Sequence, residues 1–137
     1  MYFSLGEYGQ ARDYNQRSLS ILTALDDQAG LASLHNGMGR CLTQLDQTEE
    51  ALEQFETALN ISSEQDNPLD NAQALLGLSR LSQHAGDRDQ AIEQAQAALA
   101  QFETIKAKDG QAETLLLLGD LALDEGCLLY TSDAADD

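Results

Sequence analysis

The fold of this chain is decided by residues 38–61, MGRCLTQLDQTEEALEQFETALNI. From Leu34, just before this stretch, apolar side chains recur at helical spacing on both sides of a short polar run: Leu34, Met38, Cys41, Leu42 and Leu45, and then Ala51, Leu52, Phe55, Ala58 and Leu59. This spacing places each set on one face of a helix. Because the polar run interrupts the pattern, the stretch predicts two amphipathic helices joined by a tight turn.

The same helix pair recurs along the chain with a period of 40 residues. The repeat is visible in three sets of equivalent residues: Ala11, Ala51 and Ala91; Leu19, Leu59 and Leu99; and Ala32, Ala72 and Ala112. A fourth set, Gly6, Asp46, Gly86 and Gly126, is predicted to mark the turn within each pair. A pair this thin cannot bury its apolar faces alone, so successive pairs are expected to stack.

The predicted fold class is all-α, an α-solenoid of antiparallel helix pairs. We predict helices at about residues 8–25, 28–44, 47–65, 69–85, 88–107 and 110–125. Longer polar connections are expected between the pairs, at residues 23–30, 62–70 and 105–110. Pro68 fits the first turn of a helix, where its missing N–H is not needed.

Residues 38–61 resemble the tetratricopeptide repeat family in their Leu-Gly-like step, polar turn, alanine, aromatic residue and final Ala-Leu. The second half of the pattern returns at residues 2–21, and residues 78–99 follow in phase with Ser79 where Gly39 and Gly119 stand. The resemblance covers residues 1–126. It implies a right-handed superhelix in which the first helix of each pair lines a concave, peptide-binding face.

Two features depart from the family pattern. The period of 40 exceeds the usual unit of about 34 residues, as in the longer-repeat branch of the family. Asn15 and Ala95 stand where Phe55 stands, so two of the three second helices lack a bulky residue at that position. The resemblance therefore implies the fold but not the details of its packing.

The phase of the repeat predicts where the chain divides. The predicted units are a partial repeat at 1–27, repeats at 28–67 and 68–108, the first helix of a truncated repeat at 109–126, and a tail at 127–137. The tail, CLLYTSDAADD, shares no phase with the repeats and resembles an in-frame translation of a sequencing-library adapter. We predict that it is a non-native artefact; the alternative is a genuine acidic C-terminus.

The charge balance excludes several classes of partner. Seven basic residues face 24 acidic ones, for a net charge of −17, so binding to nucleic acid is not expected. No apolar run approaches the roughly 20 residues that span a bilayer, so no membrane segment is expected either. We expect a cytoplasmic protein whose exposed repeat ends allow self-association.

Catalysis, metal binding and a cofactor are also not expected. The two histidines, His35 and His84, lie in different phases of the repeat, and His35 is predicted to pack in a helix interface. Paired acids fall in turns or near helix ends, and Cys41 lies among apolar neighbours as a small core residue. No glycine-rich phosphate loop is present.

The resemblance identifies the candidate site as the concave face of the first helices. Its predicted groove residues are Asn36, Arg40, Gln44, Leu76, Arg80, Gln83, His84, Glu113, Leu116 and Asp120. Arg40 and Arg80 are one period apart, and we predict that they hold carboxylates or carbonyls of a partner peptide. The alternative is that each arginine pairs with an acidic residue of the next helix.

Two functions are compatible with these residues. The first is a non-catalytic scaffold that binds a segment of a protein partner in the groove. The second is a sensory or regulatory segment of a larger bacterial signalling protein, whose output domain would be a nucleotide cyclase or a transcriptional regulator. The sequence favours the first.

Overall fold

The computed structural model describes residues 5–24 and 28–136. In these residues the backbone forms six helices and no strand: α1 (Leu5–Ala24), α2 (Gln28–Gln44), α3 (Thr48–Glu64), α4 (Pro68–His84), α5 (Arg88–Thr104) and α6 (Lys108–Asp136). Consecutive helices pack against one another. The predicted α-solenoid of helix pairs is therefore confirmed.

The helices are more evenly spaced along the chain than the sequence predicted. Helices α2 to α5 are each 17 residues long, and α2 to α6 begin 20 residues apart. The connection between two pairs is thus as short as the turn within a pair. The prediction of longer connections at 62–70 and 105–110 was wrong, because most of the residues in these two ranges belong to the ends of the adjoining helices. The connection predicted at 23–30 lies partly outside the described residues.

All four connections from α2 to α6 use the same backbone turn. Two residues after the end of each helix comes a residue with positive φ: Asp46 (64°), Asp66 (52°), Gly86 (86°) and Lys106 (59°). The next N–H then bonds five residues back; for example, the Gln47 N–H donates to the Leu42 carbonyl at 2.9 Å. These bonds satisfy carbonyls that would otherwise lack partners at the helix end.

The turn predictions hold at two of the four glycine-phase positions. Asp46 and Gly86 lie in turns, as predicted. Gly6 and Gly126 instead lie inside α1 and α6, so the predicted turns there, and the predicted end of the last helix at residue 125, were wrong. Beyond Gly126 the sequence has neither proline nor glycine, so it contains no residue that strongly interrupts a helix.

The starts of α4 and α5 are fixed by side-chain caps. Asn67 Oδ1 accepts a hydrogen bond from the Asp70 N–H at 3.3 Å, and Pro68 occupies the first turn of α4 as predicted. Asp87 Oδ1 accepts from the Gln90 N–H at 3.2 Å at the start of α5. Each cap satisfies one N–H of the first turn.

The first helices of the pairs lie closer together than the second helices. Helix α2 contacts α4, and α4 contacts α6, whereas the backbones of α1, α3 and α5 do not approach one another within 8 Å. A stack of pairs that is tighter on one side curves toward that side. Helices α2, α4 and α6 therefore form the inner face.

The core shows how the chain compensates for its missing aromatic residues. The Phe55 ring packs between Gly39 of α2 and Gly77 of α4, so closely that a Cβ at either glycine would meet it. One period later, Ala95 replaces the phenylalanine and Leu117 replaces the second glycine, and both are buried in one apolar cluster. A large residue on one helix is thus matched by a small one on its neighbour.

None of the helices in residues 5–24 and 28–136 combines the length and the apolar character that a membrane span requires.

Candidate peptide-binding groove

The candidate site is a groove along α2, α4 and α6. Arg40, Arg80 and Asp120 occupy equivalent positions on these helices, one period apart, and all three are exposed. Since the three helices form the inner face of the stack, the charged side chains follow one another along the groove.

Three clefts that share Arg80 make up the groove. The first, of about 90 Å³, lies between α2 and α4 and is lined by Arg40, Thr43, Gln44, Phe55, Gly77 and Arg80. The second, of about 560 Å³, extends over the start of α6 to Lys108 and Glu113. The third, of about 340 Å³, follows the ends of α2 and α4 toward Asp120.

The two arginines differ in their partners. Arg80 Nη2 lies 3.4 Å from Glu113 Oε2 on α6, with the two side chains 43% and 56% exposed. An ion pair this exposed contributes little and exchanges readily with solvent or a ligand. The Arg40 side chain makes no ion pair or hydrogen bond within the described parts of the chain. The alternative given by the sequence, that each arginine pairs with an acidic residue of the next helix, is therefore correct for Arg80 but not for Arg40.

Charge is distributed unevenly along the groove. In the cleft between α2 and α4, Arg40 and Arg80 are the charged lining residues and no carboxylate is present. The cleft toward the end of α6 instead has Asp46, Glu113 and Asp120 around Arg80. The groove therefore has a basic end and an acidic end, although the chain as a whole carries a net charge of −17.

Nine of the ten predicted groove residues line these clefts. They are Arg40, Gln44, Leu76, Arg80, Gln83, His84, Glu113, Leu116 and Asp120. The tenth, Asn36, is fully buried; its Nδ2 donates to the Asp70 carbonyl at 3.0 Å, and its Oδ1 has no partner within the described residues. Asn36 therefore joins α2 to α4 and does not reach the groove surface.

The burial of Asn36 follows from its place in the repeat. Asn36, Leu76 and Leu116 are equivalent, and Leu76 packs against α5 in the apolar core. This stripe lies at the border of the groove, between the second helix of its own pair and the first helix of the next pair. Leu116 is 71% exposed because no described helix covers that side of α6.

Several residues that line the groove were not predicted from the sequence, among them Phe55 and Lys108. Phe55 belongs to a second helix, but its ring reaches the groove floor because Gly77 has no side chain there. Lys108 was predicted to precede the last helix, whereas it is the first residue of α6. The glycines at positions 39 and 77, on the two helices beside Phe55, were the sequence feature that could have predicted this position of the ring.

Neither His35 nor Cys41 belongs to the groove. His35 Nδ1 lies 2.6 Å from Gln54 Oε1 between α2 and α3, as predicted for a packing residue. Burial raises the pKa of the Cys41 thiol above its usual value of 9.0, and the nearby Arg40 charge offsets only part of that rise. In the described residues no group of three or more His, Cys, Asp or Glu side chains could hold a metal ion.

Comparisons with known proteins agree with this architecture. Residues 1–64 match the family model described as Tetratricopeptide repeat. The search of curated proteins found no match to the chain. Over residues 1–64, a little under half of the chain, the protein is similar to the tetratricopeptide repeat family, and α4 and α5 repeat the same helix pair beyond them.

Proposed function

We propose that this chain is a scaffold whose groove binds an extended segment of a protein partner, with an acidic side chain of that segment held between Arg40 and Arg80. The observation that carries the proposal is the pair of guanidinium groups beside a carboxylate-free cleft on a strongly acidic chain. The proposed function requires no cofactor and no chemical reaction.

The cleft between α2 and α4 has the chemistry of a carboxylate subsite. A guanidinium presents a planar fork of N–H donors that fits the two oxygens of a carboxylate. Arg40 has no partner within the described residues, and Arg80 can exchange its exposed bond to Glu113 for a ligand carboxylate. Gln44 and Thr43 supply further polar groups at the rim of the cleft.

The other end of the groove sets the direction of the bound segment. Asp46, Glu113 and Asp120 repel a second acidic side chain and attract a lysine or arginine. The preferred segment therefore has its acidic residue over α2 and α4 and its basic residue toward the end of α6. Leu116 offers an apolar contact beside that acidic end.

A peptide-display selection with the full chain as bait tests the proposal. We expect the selected segments to share an acidic residue followed or preceded by a basic one. Binding of a selected peptide should weaken by about tenfold or more with Arg40→Glu, because one favourable charge contact becomes repulsive. Arg80→Glu should act in the same direction.

Arg17→Glu provides the matched control. Arg17 is also an exposed arginine, but it lies on α1 outside the three groove clefts, so this variant should bind like the wild type. If selected peptides bind all three variants equally, the groove is not the binding surface and the proposal fails. Loss of binding in all three would show that total charge, not the two groove arginines, governs binding.

A further inference from the structure

Asn36 of α2 stands where the repeat has leucine elsewhere, at Leu76 and Leu116. Its side chain is fully buried, and its Nδ2 donates to the Asp70 carbonyl of α4 at 3.0 Å. Its Oδ1 has no hydrogen-bond partner among the described residues. A buried amide with one end unpaired is less favourable than an apolar side chain of similar size. Core packing alone therefore does not account for Asn36.

The residue after Asn36 is a glycine that packing does not require. A Cβ at Gly37 would meet only Arg40 Nη2, at the ordinary contact distance of 3.9 Å, whereas a Cβ at the equivalent Gly77 would collide with the Phe55 ring. Glycine also weakens the interior of a helix. Two adjacent residues of α2 thus depart from what the helix and the core favour, and departures of this kind concentrate at functional positions.

An asparagine followed by glycine can modify itself. Once the glycine N–H has lost its proton to water or hydroxide, the backbone nitrogen attacks the side-chain Cγ of asparagine. The new N–Cγ bond closes a succinimide ring, and the side-chain amide nitrogen leaves as ammonia. Water then adds to one ring carbonyl and opens the ring, which leaves aspartate or isoaspartate. Glycine favours the attack because it has no Cβ to obstruct it.

Asn36 and Gly37 form the one Asn–Gly step in the sequence. The other asparagines are followed by Gln, Ile, Pro or Ala: Asn15, Asn60, Asn67 and Asn71. In all four, the following residue carries a Cβ. The residues around position 36 therefore combine the most reactive asparagine of the chain with a fully buried location.

The folded chain holds this reactive step closed. Both residues lie inside α2, where a backbone N–H bonds to the carbonyl four residues earlier. To close the succinimide ring, the backbone at residue 36 must rotate away from helical angles, which breaks that turn of the helix. The hydrogen bond from Asn36 Nδ2 to the Asp70 carbonyl also holds the side chain between α2 and α4. The reaction thus requires local or global opening of α2.

We propose that Asn36–Gly37 is a self-modification site that is closed in the folded chain, opened by unfolding of α2, and converted irreversibly to aspartate or isoaspartate. An aspartate at this position has no donor for the Asp70 carbonyl and places a buried carboxylate beside that oxygen. Isoaspartate lengthens the main chain and interrupts the helix. Conversion therefore loosens α2 from α4, and the modified fraction records the time that the chain has spent open.

Incubation of the full chain at mildly alkaline pH, in buffer and in guanidinium chloride, tests the proposal. Trypsin cleaves after lysine and arginine, so peptide 18–40 contains Asn36 and no other asparagine. By mass spectrometry, this peptide should gain the mass of amide-to-acid conversion in denaturant, and at least about tenfold more slowly in buffer, because the native helix is rarely open. Peptide 41–80, whose three asparagines do not precede glycine, is the internal control and should convert several-fold more slowly in denaturant.

Two variants separate the reaction from its consequence. Gly37→Ala should slow the conversion in denaturant several-fold, because the added methyl group obstructs the attack. Asn36→Asp should unfold at lower urea than the wild type, or fail to fold, as the converted chain should after removal of denaturant. Equal rates in buffer and denaturant, no conversion in denaturant, or an unchanged urea midpoint for Asn36→Asp would each overturn the proposal. None of these measurements depends on peptide binding in the groove.

Discussion

Two glycines at the same position of the repeat should respond oppositely to replacement by alanine. Gly37 and Gly77 are one period apart, so the sequence treats them as equivalent. In the structure a Cβ at Gly77 would collide with the Phe55 ring, whereas a Cβ at Gly37 would meet only Arg40 Nη2 at 3.9 Å. We predict that Gly77→Ala destabilises the protein and that Gly37→Ala stabilises it.

The magnitude follows from two opposing terms. Replacing glycine by alanine inside a helix favours folding by up to about 1 kcal/mol, and this term applies to both sites. At Gly77 the buried ring must also move by about 1 Å to restore an ordinary carbon contact, and such overpacking costs about 1–3 kcal/mol. The propensity term cancels in the difference, so Gly77→Ala should be less stable than Gly37→Ala by about 1–3 kcal/mol.

Urea unfolding followed by far-ultraviolet circular dichroism measures this difference. The midpoint should shift to lower urea for Gly77→Ala and to slightly higher urea for Gly37→Ala, with the slope unchanged. Equal midpoints for the two variants would refute the close packing of Phe55 against Gly77.

Three further predictions concern the core, a helix cap and the half-buried thiol of Cys41. Phe55→Ala should lower the free energy of unfolding by about 3–5 kcal/mol, and adding Gly77→Leu should recover part of it, measured by the same urea unfolding. Asn67→Ala should cost about 1 kcal/mol by thermal unfolding, since it removes the cap of α4. Iodoacetamide should alkylate Cys41 more slowly than a free thiol in a variant whose other cysteine is serine, and the rate should still rise above pH 9.0.

Each of these has its own control. The change in unfolding free energy of the double variant is compared with the sum of the changes for Phe55→Ala and Gly77→Leu alone. The double variant has the same residues as the natural pair Ala95 and Leu117, so simple additivity would contradict the inference that Leu117 compensates for Ala95. Gln47 makes no side-chain cap and accepts one hydrogen bond from Arg12, so Gln47→Ala should cost less than Asn67→Ala, and an equal loss would contradict the role of the cap. Cys41 alkylation at the rate of a free thiol would contradict its burial.

The raised pKa of Cys41 also predicts a pH dependence of stability. The folded protein holds the thiol proton to higher pH than the unfolded chain does. The contribution to stability is thus complete below the unfolded pKa and is lost as pH rises through the folded pKa. Replacing Cys41 by serine should remove this part of the alkaline decline.

The position of most candidate residues along the clefts could be anticipated because the repeat fixes the helix face of each residue, whereas their role in binding stays a prediction. Arg40, Arg80 and Asp120 share one phase, and the structure places them along the same groove. The prediction that Asn36 lies on the groove surface was wrong. Asn36 lies at the edge of the groove-facing side of α2, and a residue at such an edge can face either the groove or the neighbouring helix, here α4. Which neighbour it meets depends on the crossing of the helices, and periodicity does not specify that angle.

The all-α fold, the 40-residue repeat and the helix pairs can be predicted from the residue pattern, because periodic burial and turn residues are local properties of the chain. Three features become visible only in three dimensions: the connections from α2 to α6 are equally short, Phe55 packs against Gly77, and Arg80 has an acidic partner whereas the Arg40 side chain has none among the described residues. These features depend on side-chain volume and distance between different helices. A pattern along the sequence does not contain that information, since packing in three dimensions arises from pairs of residues far apart in the chain.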